Sequence, residues 1–133
     1  LTGRGRLYCQ ASGFCAVRGK QICKPAQLAA ACGTSAFPYG AAYDLAACNG
    51  VDLGQKTTVP VASLPKCVSL VFGGAVFDLS GNVAELVPPS AGTYAAVGGS
   101  FETEKDGLQC AAKAPATSSS VSPSVGFRCC TTE

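Results

Sequence analysis

The residues best placed to do chemistry in this chain are two carboxylates with a glycine between them. Asp78 and Glu85 stand seven positions apart in Val76-Phe77-Asp78-Leu79-Ser80-Gly81-Asn82-Val83-Ala84-Glu85-Leu86. Gly81 can take a backbone conformation that other residues resist. The turn can therefore gather both carboxylates and several backbone carbonyls around one point. Hard cations such as calcium take an oxygen-rich shell of that kind. A plain polar hairpin turn is the competing reading, because Asp, Ser, Gly and Asn are common turn residues. A general acid–base pair is a further alternative for Asp78 and Glu85. Cys48-Asn49-Gly50-Val51-Asp52 is a second oxygen-rich turn.

Several other chemistries are excluded early. The chain has no His, which removes Ser-His and Cys-His nucleophiles. Gly73-Gly74 and Gly98-Gly99 lack the remaining spacing of a phosphate-binding loop. Net charge is +2 with no basic run, so nucleic acid is not an expected partner. No apolar run reaches the length of a membrane span. Nine cysteines remain to be explained, and neither Cys15/Cys23 nor Cys129/Cys130 has the C-x-x-C spacing usual in zinc sites. Dense cysteine without metal spacing reads as disulfides, hence an oxidising compartment: secreted, periplasmic or cell-surface. No signal peptide is visible, and the abrupt start at Leu1 is read as that of a mature or trimmed product.

The elements that must hold these turns follow from composition and local pattern. A length of 133 residues suits one domain, 1–133. Much of the 47% apolar share is Ala, and there is no Trp or Met, so something besides apolar burial must help hold the fold. A helix is expected near the N-terminus, carrying Leu7, Tyr8, Cys9, Phe14, Cys15 and Val17 on its apolar face and closed by Gly19. Pro25 to Cys32 reads as a second helix, with Pro at its first position and Gly33 just beyond its end. Residues 37–66 read as loop, with Thr58 to Val61 extended. Leu86 to Thr93 reads as a connection, Tyr94 to Val97 as a strand, Ala114 to Ser124 as a long surface loop, and Val125 to Cys130 as the final strand. There is no internal repeat.

Five short motifs carry a resemblance to a known family. They are Phe37-Pro38-Tyr39-Gly40, Asp78-Leu79-Ser80-Gly81-Asn82-Val83-Ala84-Glu85-Leu86, Gly98-Gly99-Ser100-Phe101, Cys110-Ala111-Ala112-Lys113 and Gly126-Phe127-Arg128-Cys129. Their types and order resemble the signatures of the formylglycine-generating enzyme (sulfatase-modifying factor) family, whose domain is a variant of the C-type lectin fold. The resemblance implies an α+β, loop-rich, disulfide-stapled domain with two short helices and a small twisted antiparallel sheet. It also implies that the N-terminal half of the family domain is absent, so that either a neighbouring chain supplies a strand or the domain is shortened.

The resemblance further implies specific roles. Calcium would be held by Asp78, Gly81, Val83 and Glu85, and by Asn49 with Asp52 as its partner. Cys15 would pair with Cys129, and Cys32 with Cys110. For the remaining cysteines, proximity suggests Cys48–Cys67 and Cys23–Cys130, leaving Cys9 free or bridging to another chain. Catalytic relatives bind copper through two cysteines just after Gly-Gly-Ser-aromatic. Here the first position is Thr103, the second falls among 105–107, and no cysteine remains. Copper is therefore not expected, and neither is the iron of a related branch that holds it through His residues of a separate domain.

The expected function is a non-catalytic, calcium- and disulfide-stabilised extracellular binding or structural module, with protein or glycan ligands. Its contact surface would comprise Glu102, Thr103, Glu104, Lys105 and Asp106 together with Lys113, Thr117 and Ser119, near Tyr94. A divergent metal-dependent oxidase or protein-cysteine modifier is the alternative. A homo-oligomer, or a subunit completed by strand addition from a neighbour, is a third reading.

Overall fold

A computed structural model of the chain describes residues 6–116 and 122–132. The first element is helix α1 (Arg6–Ala16), followed by strand β1 (Gln21–Ile22) and helix α2 (Pro25–Cys32). Strands β2 (Val68–Ser69), β3 (Val76–Phe77), β4 (Ala84–Ser90) and β5 (Thr93–Val97) come next. The last three are β6 (Lys113–Ala116), β7 (Val125–Phe127) and β8 (Cys129–Cys130). Two single turns of 3-10 helix, Val51–Leu53 and Lys105–Leu108, punctuate the loops. The architecture is α+β and loop-rich.

The largest sheet has the order β6-β5-β4-β7, with β4 antiparallel to β5 and parallel to β7. Two ribbons, β1-β8 and β2-β3, flank it. The turn after β3 is thus not a hairpin turn. It carries the chain from one sheet into another, and this is what places Asp78 and Glu85 on different elements.

Helix α2 forms where its sequence predicts. Pro25 sits in the first turn, the Lys24 amide donates to Gln27 Oε1 at 2.9 Å, and Gly33 ends the helix at φ 96°. Leu28, Ala31 and Cys32 face inward and meet Cys23, Leu79 and Val87 in one cluster. A second cluster joins Ala11 and Cys15 of α1 to Ile22. In α1 the buried face is narrower than its apolar residues suggest: Phe14 is half in solvent and Val17 is 81% exposed, beyond the helix end.

Four disulfides tie the clusters together: Cys15–Cys129, Cys23–Cys130, Cys32–Cys110 and Cys48–Cys67, the pairings anticipated above. Successive strand residues point to opposite faces. Cys129 accordingly packs against the α1 cluster and Cys130 against the α2 cluster, so two adjacent half-cystines bind both halves of the core to one strand. Cys9 is free and exposed on α1.

Four local expectations need correction. Strand β4 runs on through Pro88 and Pro89, read above as a connection. Its pairing with β5 shifts between Val87 and Ser90, so the prolines fall at an irregularity where no ladder amide is required. Lys113 to Ala116, read mostly as loop, is an edge strand on β5; Pro115 suits an edge because its missing N–H is demanded by no neighbour. The final strand divides at Arg128, with β7 serving the large sheet and β8 the β1 ribbon. Thr58 to Val61 belongs to no strand.

Candidate functional site

The turn after β3 is built from left-handed backbone. Asp78, Gly81 and Asn82 have φ of 60°, 74° and 68°. Each amide around it has a distant partner: Asp78 donates to Cys67 O at 3.1 Å, Gly81 to Gly98 O at 2.8 Å and Asn82 to Asn49 O at 2.8 Å. Asn82 is the hub. Its Oδ1 accepts from Asn49 Nδ2 at 3.1 Å and Val59 N at 2.9 Å, its Nδ2 donates to Val59 O at 3.1 Å, and its carbonyl accepts from Phe101 N at 3.0 Å. Four segments of the chain therefore meet at one buried residue, two of them bonded to its amide side chain. A Cβ on Gly81 would lie 2.6 Å from Asn49 O, in a conformation L-residues avoid. Gly81→Ala is expected to destabilise the fold by about 2–4 kcal/mol, from the left-handed strain plus overpacking. Urea unfolding checks this; a loss under about 0.5 kcal/mol would mean that the turn relaxes freely.

Asp78, Asn82, Val83, Glu85 and Arg128 line a cavity of about 360 Å³ with Phe14, Val61, Phe127 and Cys129. Asp78 and Glu85 are 7% and 4% exposed and line the same cavity. The cation that answers Glu85 belongs to the chain. Arg128 Nε donates to Glu85 Oε2 at 2.8 Å and its Nη2 to Glu85 Oε1 at 3.0 Å, while Nη2 also donates to Phe77 O at 2.8 Å. Asp78 Oδ2 accepts from Ala62 N at 2.8 Å. Burial raises the Glu85 carboxyl above its ordinary value, against the pull of Arg128 and with a smaller push from Asp78.

The second turn splits its two expected donors. Asn49 is 1% exposed; its Nδ2 donates to Thr57 O at 2.9 Å, and its Oδ1 is buried without a hydrogen-bond partner. Asp52 lies at the surface and accepts from the Tyr43 hydroxyl at 2.8 Å. Burial first, then this bond, pushes the Tyr43 hydroxyl up to about 12. Among the described residues no three His, Cys, Asp or Glu side chains group as metal ligands.

The segment after Gly98-Gly99-Ser100-Phe101 is closed around Thr103. Its hydroxyl accepts from Ser100 N at 2.8 Å, and its carbonyl accepts from Val51 N at 3.0 Å. Glycines 99 and 107 crowd its methyl group: a Cβ on Gly99 would lie 2.9 Å from it, and one on Gly107 closer still. Glu102, Glu104, Lys105, Asp106 and Lys113 are exposed, and Lys105 Nζ stands 5.8 Å from the Tyr43 ring centre. Thr117 and Ser119 lie outside the described residues.

The model of the Sulfatase-modifying factor enzyme 1-like domain (FGE-sulfatase) matches residues 7–133. The chain belongs to this family. No curated protein matches it.

In this FGE-sulfatase domain the structure brings together Asp78, Val83 and Glu85 on one cavity wall, with Gly81 behind them against the Asn49 backbone. It separates the side chains of Asn49 and Asp52. Sequence reasoning did not find Arg128 as the partner of Glu85, nor Asn82 as the junction of the loops. The Gly126-Phe127-Arg128-Cys129 motif held the signal for Arg128, but its partner lies 43 residues away, beyond local pattern.

Proposed function

We propose that this FGE-sulfatase domain is a non-catalytic, extracytoplasmic recognition or structural module. The observation that carries this is Thr103. The family resemblance places the first copper-binding thiolate at that position. A Thr hydroxyl bonded within its own turn supplies no soft ligand there. Of the nine cysteines, eight are in disulfides and the ninth, Cys9, is on α1. Exposed Glu102, Glu104, Lys105 and Asp106 with Lys113 are the contact surface of this reading, set on loops held by a cross-linked frame. Four disulfides support an oxidising compartment; among the described residues no helix is long and apolar enough to cross a membrane.

Calcium belongs to the same proposal, as a structural ion. The unpartnered, buried Oδ1 of Asn49 is the feature that fits it best, since a buried acceptor without a donor is costly. At the other seat, Asp78 and Glu85 would have to share a calcium ion with Arg128. One set of measurements tests both parts. Incubation with copper and a cysteine-containing peptide should yield no aldehyde by mass spectrometry, and conversion of the peptide would overturn the non-catalytic reading. Thermal melting in chelator and in millimolar calcium should show a higher midpoint with calcium, because a ligand bound only by the folded form must raise it. A flat midpoint removes calcium and leaves the rest standing.

A further inference from the structure

A cavity of about 450 Å³ opens beside the β2 strand, walled by Pro38, Tyr39, Asp44, Ala47, Lys66, Val68 and Leu70. None of its walls comes from residues 102–108, so it is separate from the contact surface above. Its size and its mixture of apolar walls with a few polar groups are those of a small-ligand site.

The aromatic wall is fixed in place. Tyr39 stacks on Phe37 with ring centres 5.4 Å apart and planes within 9°, and Phe37 is buried at 2% exposure. The Tyr39 hydroxyl accepts from Asp44 N at 3.1 Å and reaches Asp44 O at 3.5 Å. These contacts hold the ring from one face and from its tip, leaving the half-buried ring to line the cavity. Asp44 is held too, its Oδ1 accepting from Ala46 N at 2.9 Å, so that a carboxylate has further acceptor capacity beside the ring. Lys66 is exposed across the same cavity and supplies donors. Neither Asp44 nor Lys66 is in an ion pair among the described residues.

The combination selects a ligand. Lys66 disfavours a cation and Asp44 disfavours an anion. A flat ring face with Pro38, Val68 and Leu70 around it favours a ligand with an apolar side. An acceptor and a donor at the rim favour hydroxyl groups on its edge. We propose that this cavity binds a neutral sugar ring, its C–H face on Tyr39 and its hydroxyls bonded to Asp44 and Lys66, without calcium. A zwitterionic amino acid is the competing ligand: it matches the two charges but leaves the ring face and much of the volume unused.

Saturation-transfer NMR on the full chain tests this, with the methyl glycosides of glucose, galactose, mannose and N-acetylglucosamine as probes and leucine as the competitor. At least one glycoside should receive saturation on its ring protons, equally in chelator and in calcium. Its dissociation constant should rise about tenfold in Lys66→Ala, which removes a charged donor, and about threefold in Asp44→Asn, which keeps an acceptor oxygen but loses its charge. In Tyr39→Ala the transfer should vanish. Lys66 is at the surface, so its variant keeps the fold even if Tyr39→Ala does not, and melting curves of all variants check this. No transfer to any glycoside, undiminished transfer in Lys66→Ala and Asp44→Asn, or displacement by leucine at equal concentration would overturn the proposal. None of these results bears on Thr103 or on the calcium melt.

Discussion

Arg128→Met is expected to lower stability by about 3–5 kcal/mol at neutral pH, because removing one partner leaves an uncompensated buried charge. Glu85 is 4% exposed and holds the guanidinium through both oxygens. The loss should depend on pH in a definite direction. Burial already places the folded Glu85 carboxyl above its ordinary value of 4.5. A raised carboxyl means that the folded chain keeps a proton the unfolded chain has released. Its contribution is then fully present below the ordinary value and is lost as pH rises through the raised one. Without Arg128 the carboxyl rises further and the window widens upward. The variant should therefore approach wild type in acid and diverge from it as pH rises. Adding Glu85→Gln to Arg128→Met should recover part of the loss at neutral pH, since a neutral amide is easier to bury. Urea titrations across pH measure this. A single variant as stable as wild type at neutral pH, or a loss that grows in acid, would show that the pair is not holding the site.

The disulfide ladder carries the second large effect. Replacing Cys32 and Cys110 together by Ala should cost about 4.5 kcal/mol in the chain-entropy account, a large part of a typical total of about 5–15 kcal/mol. These residues are 78 apart in sequence and bind α2 to the segment before β6. Removing Cys48 and Cys67, only 19 apart, should cost less, about 3 kcal/mol. The same ordering should appear in denaturant midpoints of the oxidised variants. A reversed order would mean that local packing outweighs loop closure at these sites.

Much of the frame was legible in the sequence, for reasons particular to each part. Helix α2 announced itself through Pro25 and Gly33, which are local signals at its ends. The four cysteine pairs followed partly from motif resemblance and partly from proximity, which for Cys48–Cys67 is nearness in the chain. The edge strand β6 and the prolines of β4 were not legible, because Pro and Ala read as loop unless the neighbouring strand that tolerates them is known. Val17 and Phe14 matched a helical stripe, yet α1 buries only the side carrying Ala11 and Cys15.

The candidate site divides along the same line. Sequence by itself determined that Asp78 and Glu85 bracket a turn through Gly81 and Asn82, that no cysteine stands between Ser100 and Cys110, and that nearly all the cysteines would cross-link. Those properties depend on residue type and close spacing, which are written along the chain. Tertiary structure alone decided that Glu85 is answered by Arg128, that Asn82 joins four loops, that Asn49 Oδ1 is left without a donor, and that Tyr39, Asp44 and Lys66 share one cavity. Each of these is a meeting of groups on different elements. Ion pairing, hydrogen bonding and burial act over a few ångströms of space, and which groups come that close is settled by the packing of the clusters and their disulfides, not by distance along the chain.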